Sequence, residues 1–531
     1  MSLSWTFPYP SRRMPVFARN VVATSQPLAA QAGLQMLVRG GNAVDAALAA
    51  AITLAVVEPT SNGIGSDAFA LVWDGTELHG LNGSGRSPLA WAPAHFAGRS
   101  VMPQQGWDAV TVPGAVDAWA SLSRKFGKLP FADLFEFAIR YASDGFIVSP
   151  ITAEKWSLAP RQFRDFPDLA ATFLPGGRSP LPGELFRPQG MAGTLKILAE
   201  TGGESLYRGE LAARIVSHAQ ETGGTMTAED LAGHRSDWVK PLSQDWQGVT
   251  LYELPPNGQG LTVLVALGIL SHLPIEDYPL DSVECLHLQI EAMKMAFAVT
   301  KPHIADPAWM TIQPSSLLEG SFLKEWARTI LMDHASSRAR SVPSDGGTVY
   351  LATADENGMM VSYIQSNYQG FGSGIVVPGT AISLQNRGAG FTLEEGHPNC
   401  VGGGKRPYHT IIPAFVMRDR APLMSFGVMG AHMQAQGHLQ MMIRIIAGGQ
   451  NPQAAADAPR WYLTEDSHLS LEPGFSPAIR EGLQQRGHRL TPDAPTSLFG
   501  GAQLIHCFSP AGTGNASRLS VSASGHTHLG L

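Results

Sequence analysis

Two kinds of apolar run alternate along the chain. Short stretches rich in β-branched and aromatic residues, bounded by Gly, Asn and Asp, predict strands at residues 70–73, 251–254, 349–354 and 359–367. The last two are joined by Asp355-Glu356-Asn357-Gly358, which predicts a hairpin turn. Longer runs predict helices. Residues 46–57 are apolar on nearly every side, so this helix should be buried. Residues 210–222 are amphipathic and stop at Gly223-Gly224, and Thr227-Ala228-Glu229-Asp230 opens another helix as a capping box. Further helices are expected from Val112-Pro113-Gly114 past Trp119, up to Asp144, after Gly260, and over 281–297. Residues 151–200 read as loops around helices. A strand ending in a loop is expected over 379–390. Residues 310–345 show no apolar period and read as a flexible tail. Glu291 and Lys294 read as a surface or interhelix pair.

Composition narrows the class. The 531 residues are 44% apolar and 15% charged, which suits a compact body with a large core. With 37 basic against 44 acidic residues in no long runs, a nucleic-acid surface is not expected. Cys285, Cys400 and Cys507 are an odd, scattered set, which points to a reduced compartment and no disulfide framework. The N-terminal residues lack a signal-like apolar core, and 46–57 is too short to span a membrane. The expectation is a cytoplasmic protein with no membrane or nucleic-acid partner.

The candidate chemistry sits at Gly346-Gly347-Thr348, at the head of the hairpin. A cut between Gly347 and Thr348 would place the Thr348 hydroxyl beside its own α-amine, a base with a free pKa of about 7.7–8.0. That is a way to activate a Thr hydroxyl without a His. Gly402-Gly403-Gly404-Lys405-Arg406-Pro407 lacks the spacing of a phosphate loop. His432 and His438 are badly spaced for a metal pair on one helix face.

The hairpin from Thr348 through Asp355-Glu356-Asn357-Gly358 to Phe371-Gly372-Ser373-Gly374 resembles the processing site of the γ-glutamyltranspeptidase family. The RGGNAVDAA wording from Arg39, Val112-Pro113-Gly114, Asp144-Gly145-Phe146 and IEAMKMAFA from Ile290 extend the resemblance over nearly the whole chain. It implies an α+β, four-layer αββα sandwich of the N-terminal nucleophile hydrolase type. One precursor would be cut into a large subunit 1–347 and a small subunit 348–531 that build it jointly, with pairing of two such heterodimers as an option. No metal or organic cofactor is implied.

The resemblance also assigns roles. Thr348 is the nucleophile and Ser366 the second hydroxyl beside it. Gly430 and Ala431, in a strand-to-helix turn, offer N–H groups to a developing oxyanion. The family's carboxylate-binding Arg falls on Ser84, with Arg86 two residues on as the replacement. Three family positions that hold a substrate α-amine fall on Tyr368, Arg387 and Gly390, so an acidic partner is lost and a cation gained. Two family serines fall on His409 and Thr410. Gly258 stands where a Ser is usual, and Ser522-Ala523-Ser524-Gly525-His526-Thr527 replaces an acidic and a basic residue. A pocket with Arg86, Arg387, His409 and Thr410, shortened by Tyr368, is expected to take a small carboxylate-bearing amide without an amine. Oxamate fits that best. The alternatives are a γ-glutamyl or glutathione hydrolase or transpeptidase, a glutaryl-type cephalosporin acylase, and a silent small-acid binder.

Overall fold

The computed structural model describes residues 3–4, 6–10, 14–336, 347–464, 467–491 and 494–508, and the backbone of 519–524 and 527–530. Residues 337–346, and Gly525 and His526 of the altered C-terminal segment, lie outside the described residues.

Two seven-stranded antiparallel sheets form the centre. One runs Val16–Ala18, Leu519–Ser524, Ala502–Phe508, Ala421–Val428, Ala414–Arg418, Val249–Glu253, Leu242–Trp246. The other runs Thr527–Gly530, Val21–Thr24, Gly347–Ala354, Met360–Tyr368, Asp67–Trp73, Leu78–Gly83, Asp237–Val239. Alternation along each strand decides which side chain faces where. In the central hairpin Tyr350, Ala352 and Ile364 join Phe69, Leu71, Phe415 and Ile505 in the core between the sheets. Val349, Leu351, Val361 and Tyr363 point the other way, into a core shared with helices Pro27–Val38 and Ala43–Val57. Helices Gly260–Leu270, Val283–Thr300 and Met433–Met442 cover the outer face of the first sheet. The result is the four-layer αββα sandwich, with strands from both sides of Gly347 in each sheet.

The buried helix extends over Ala43–Val57, every residue of it buried. Its start is set by Asn42, whose side chain accepts from the Val44 and Asp45 N–H groups while Asp45 reaches back to the Asn42 N–H. The hairpin turn grips the same helix: Asp355 accepts from the Ala43 N–H at 2.9 Å. Helix Glu210–Thr222 and the capping box at Thr227 fall where the pattern places them. Gly114 opens helix Ala115–Phe126 because a Cβ there would lie 1.6 Å from the Gly83 carbonyl oxygen.

Three expectations are corrected. Residues 310–336 are not a structureless tail: Gly320–Ala327 is a helix that buries Leu323 and Ala327 against Gly260–Leu270. Eight residues give too short an apolar stripe to register as a period. The strand expected in 379–390 is only Ile382–Ser383, paired with Val376–Val377 before it and followed by a 3-10 turn Arg387–Gly390. Glu291 and Lys294 are not at the surface; they pair at 2.7 Å in the interior. No helix among the described residues is long and apolar enough to cross a membrane, and the three cysteines are free.

Candidate active site

Three neighbouring strands converge on Thr348. The register pairs Ser366 with Asp67 and Gly347 with Tyr368, and a shift between Gly347 and Val349 lets Thr348 bulge at the strand head. Thr348, Ser366 and Asp67 share parity with Tyr350, Ile364 and Phe69, so all three face the gap between the sheets. All three are buried. From the opposite layer Gln434 donates to Thr348 Oγ1 at 3.4 Å, and its own Oε1 is held by the Ile412 N–H.

Ser366 lies at the centre of the polar contacts. Its Oγ receives the Tyr368 N–H at 2.8 Å, Arg387 Nη2 at 3.0 Å and the Thr348 hydroxyl at 3.3 Å. It donates to the Gly347 carbonyl oxygen at 2.6 Å. Arg387 is 1% exposed and lies over the Tyr368 ring at 4.5 Å. Its Nη1 donates to Thr410 Oγ1 at 2.7 Å, its Nε has no partner, and it forms no ion pair among the described residues. Burial pulls its pKa down to about 10, against the pull of nearby Asp67. Burial pushes the Asp67 carboxyl up to about 7, with Arg387 and the Gly85 and Gly114 N–H groups opposing. His409 holds the other Asp67 oxygen at 3.1 Å. Burial, with Arg387 and Arg406 nearby, keeps the His409 pKa well below its usual value, so it is neutral. Its Nδ1 accepts from the Ile411 N–H, so its one ring N–H points at Asp67.

The turn after strand Ala421–Val428 carries Gly430 (φ 112°) and Ala431 (φ 50°) into helix Met433–Met442. Among the described residues neither N–H has an acceptor. Gln259 braces this turn against the other wall, donating to the carbonyl oxygens of Thr410 at 2.5 Å and Ala431 at 3.0 Å. The structure thus gathers Thr348, Ser366, Tyr368, Arg387 and Thr410, with His409 turned to Asp67. It does not bring Arg86 to them. The Arg86 guanidinium is spent on Asp306 at 2.7 Å and the Gly404 carbonyl, because the Gly85 N–H is pinned to Asp67 and the next side chain turns away. Ser84 is likewise engaged, by Asn82 and Asn257.

Sequence reasoning missed Asp67, Gln434 and Gln259. Asp67 had a signal, a lone acid heading an apolar strand. The two glutamines had none, since each acts across the gap between layers. Among the described residues one group, His287, Glu291 and His488, has a metal-ligand donor set. It is already satisfied without an ion. Lys294 donates to Glu291, lies 3.5 Å from His488 Nδ1, and leaves His488 Nε2 to bond His287 Nδ1 at 2.8 Å.

Comparisons with known proteins agree with this fold. The family model described as γ-glutamyltranspeptidase matches residues 29–519. The chain is 37% identical to the glutathione hydrolase-like YwrD proenzyme of Bacillus subtilis over 478 residues, 88% of this chain and 91% of that one. It is also 37% identical to the oxamate amidohydrolase proenzyme of Klebsiella pneumoniae over 487 residues, 89% and 91% of the two chains. The crystal structure of a cephalosporin acylase from Bacillus halodurans superposes with a TM-score of 0.92 at 46% identity, covering 98% of this chain and 97% of that one.

Proposed function

The chain belongs to the γ-glutamyltranspeptidase family of autoprocessed amidohydrolases, and on that premise we propose that it hydrolyses the amide of a short acyl group bearing a carboxylate and no amine, oxamate fitting best. The observation that carries the reading is Arg387: a buried guanidinium in no ion pair among the described residues, with an unpartnered Nε and a nearby hydroxyl, Thr410. A buried cation is costly unless paired, and a substrate carboxylate is the missing partner. A protonated α-amine in the same place would be repelled.

In the proposed reaction the chain is first cut between Gly347 and Thr348. The Thr348 amine then takes the proton of its own hydroxyl as Oγ1 attacks the substrate carbonyl. The Gly430 and Ala431 N–H groups receive the oxyanion. The amine returns the proton to the leaving ammonia, and water releases the acid from Thr348. Arg387 and Thr410 hold the carboxylate, and Tyr368 closes the pocket behind it. The second reading, a longer glutaryl-type acyl group, is favoured by the likeness to the cephalosporin acylase. It keeps the Arg387 contact and needs Tyr368 to swing away.

The test pairs intact mass with turnover. Wild type should show fragments beginning at Thr348, and Thr348→Ala a single uncut chain. Ammonia release from oxamate, with no cleavage of γ-glutamyl anilides, supports the short-acid reading. Turnover of γ-glutamyl anilides alone overturns it, and turnover of glutaryl amides alone selects the second reading.

A further inference from the structure

We propose that Arg387 is a positioning residue for self-cleavage, acting through Ser366 on the carbonyl of the bond to be cut; this rests on Thr348 being the nucleophile. The argument begins with hydrogen-bond capacity. A serine hydroxyl has one proton to give and two lone pairs to receive with. Three donors converge on Ser366 Oγ: the Tyr368 N–H, Arg387 Nη2 and the Thr348 hydroxyl. Its own proton therefore has one acceptor, the Gly347 carbonyl oxygen at 2.6 Å. The polarity of the bond is set, and its donor is strengthened by the guanidinium behind it.

That carbonyl is where charge must develop. Thr348 Oγ1 bonds to the Gly347 carbon, the hydroxyl proton passes to the departing Thr348 nitrogen, and the C–N bond breaks to leave an ester. Water then hydrolyses the ester to the Gly347 carboxylate and a free Thr348 hydroxyl. In the tetrahedral stage the former carbonyl oxygen is an oxyanion, and Ser366 is the donor already aimed at it. The oxyanion donors of self-cleavage are thus Ser366 backed by Arg387, whereas the Gly430 and Ala431 N–H groups serve the later substrate. Three crowded donors also leave the Thr348 hydroxyl the longest and weakest held, at 3.3 Å, so little is lost when it turns to attack. Arg387 serves twice in succession: behind Ser366 before the cut, and toward a substrate carboxylate after it.

The experiment follows self-cleavage of the pulse-labelled full chain made by cell-free translation. Four variants are compared with wild type: Arg387→Met, Arg387→Lys, Ser366→Ala and the Ser366→Ala/Arg387→Met double. Arg387→Met should slow fragment formation about 10-fold or more, short of the roughly 100- to 1,000-fold for removing an oxyanion donor outright. Arg387→Lys should fall between it and wild type. The double variant should cleave no more slowly than Ser366→Ala alone, because Arg387 acts through Ser366. Wild-type rates in Arg387→Met, or further slowing in the double variant, overturn the proposal. If Arg387→Met fails to fold, Arg387→Lys decides: slower cleavage at unchanged melting temperature supports the proposal and the wild-type rate sinks it. An uncut wild type would instead overturn the nucleophile assignment on which the proposal stands.

Discussion

Asp67, Arg387 and His409 share one buried pocket, and their protonation decides what else can enter it. With Asp67 pushed up to about 7, its carboxyl is largely neutral in mildly acid solution and Arg387 is short of a negative charge. As pH rises through about 7 Asp67 ionises and competes for Arg387. KM for an anionic amide should therefore rise above pH 7, and Asp67→Asn should flatten that dependence; a pH series of initial rates checks it. The stability sign follows from the same shift. The folded pKa lies above the ordinary carboxylate value of about 3.9, so the native state holds the extra proton. Stability contributed at this site falls as pH rises from about 4 to about 7 and is level beyond. Urea unfolding at pH 5 and pH 8 should show that slope in wild type and a smaller one in Asp67→Asn. Thr410→Val should raise KM for oxamate about 10- to 150-fold, the worth of one charge-assisted hydrogen bond, with kcat less affected. At this scale the resemblance to the family singled out Thr348, Ser366, Arg387 and Thr410, which the fold brings together. It misplaced Arg86, because a loop residue's direction is set by what pins the backbone, here Gly85 on Asp67.

Elements were legible where local chemistry alone decides them. The capping box at Thr227 and Asp230, the glycine stop after Thr222 and the turn at 355–358 each specify an end with a few neighbouring residues. Asn42→Ala should cost about 1 kcal/mol of stability or more by chemical unfolding, since Asn42 caps the helix and also donates to the Phe126 carbonyl. Helix Gly320–Ala327 was hidden because its stability comes from packing Leu323 into the space over Gly268, a contact distant in sequence. The Lys294–Glu291 pair was mistaken for a surface feature for the same reason. Lys294→Met should destabilise by about 3–5 kcal/mol by leaving Glu291 buried without its cation. A Glu291→Gln/Lys294→Met double variant should recover part of that loss in the same denaturation series.

For the whole molecule the decisive fact is interleaving. Each sheet draws strands from both sides of Gly347, and the hairpin at 347–368 lies between Val21–Thr24 and Asp67–Trp73. Cutting the chain there removes no sheet hydrogen bonds beyond the strand head. The two pieces should elute together on gel filtration and separate only in denaturant; separation in native buffer would contradict this topology. The periodicities and the hairpin turn determined by themselves the central hairpin, the buried helix and the place of Thr348, because each depends on residues adjacent in the chain. The tertiary structure alone decided that Asp67, Gln434 and Gln259 reach the site, that Arg86 does not, and that Arg387 stands buried in no direct ion pair among the described residues. Those outcomes depend on which layers meet and what each backbone group must bond once water is excluded, and no local pattern carries that information.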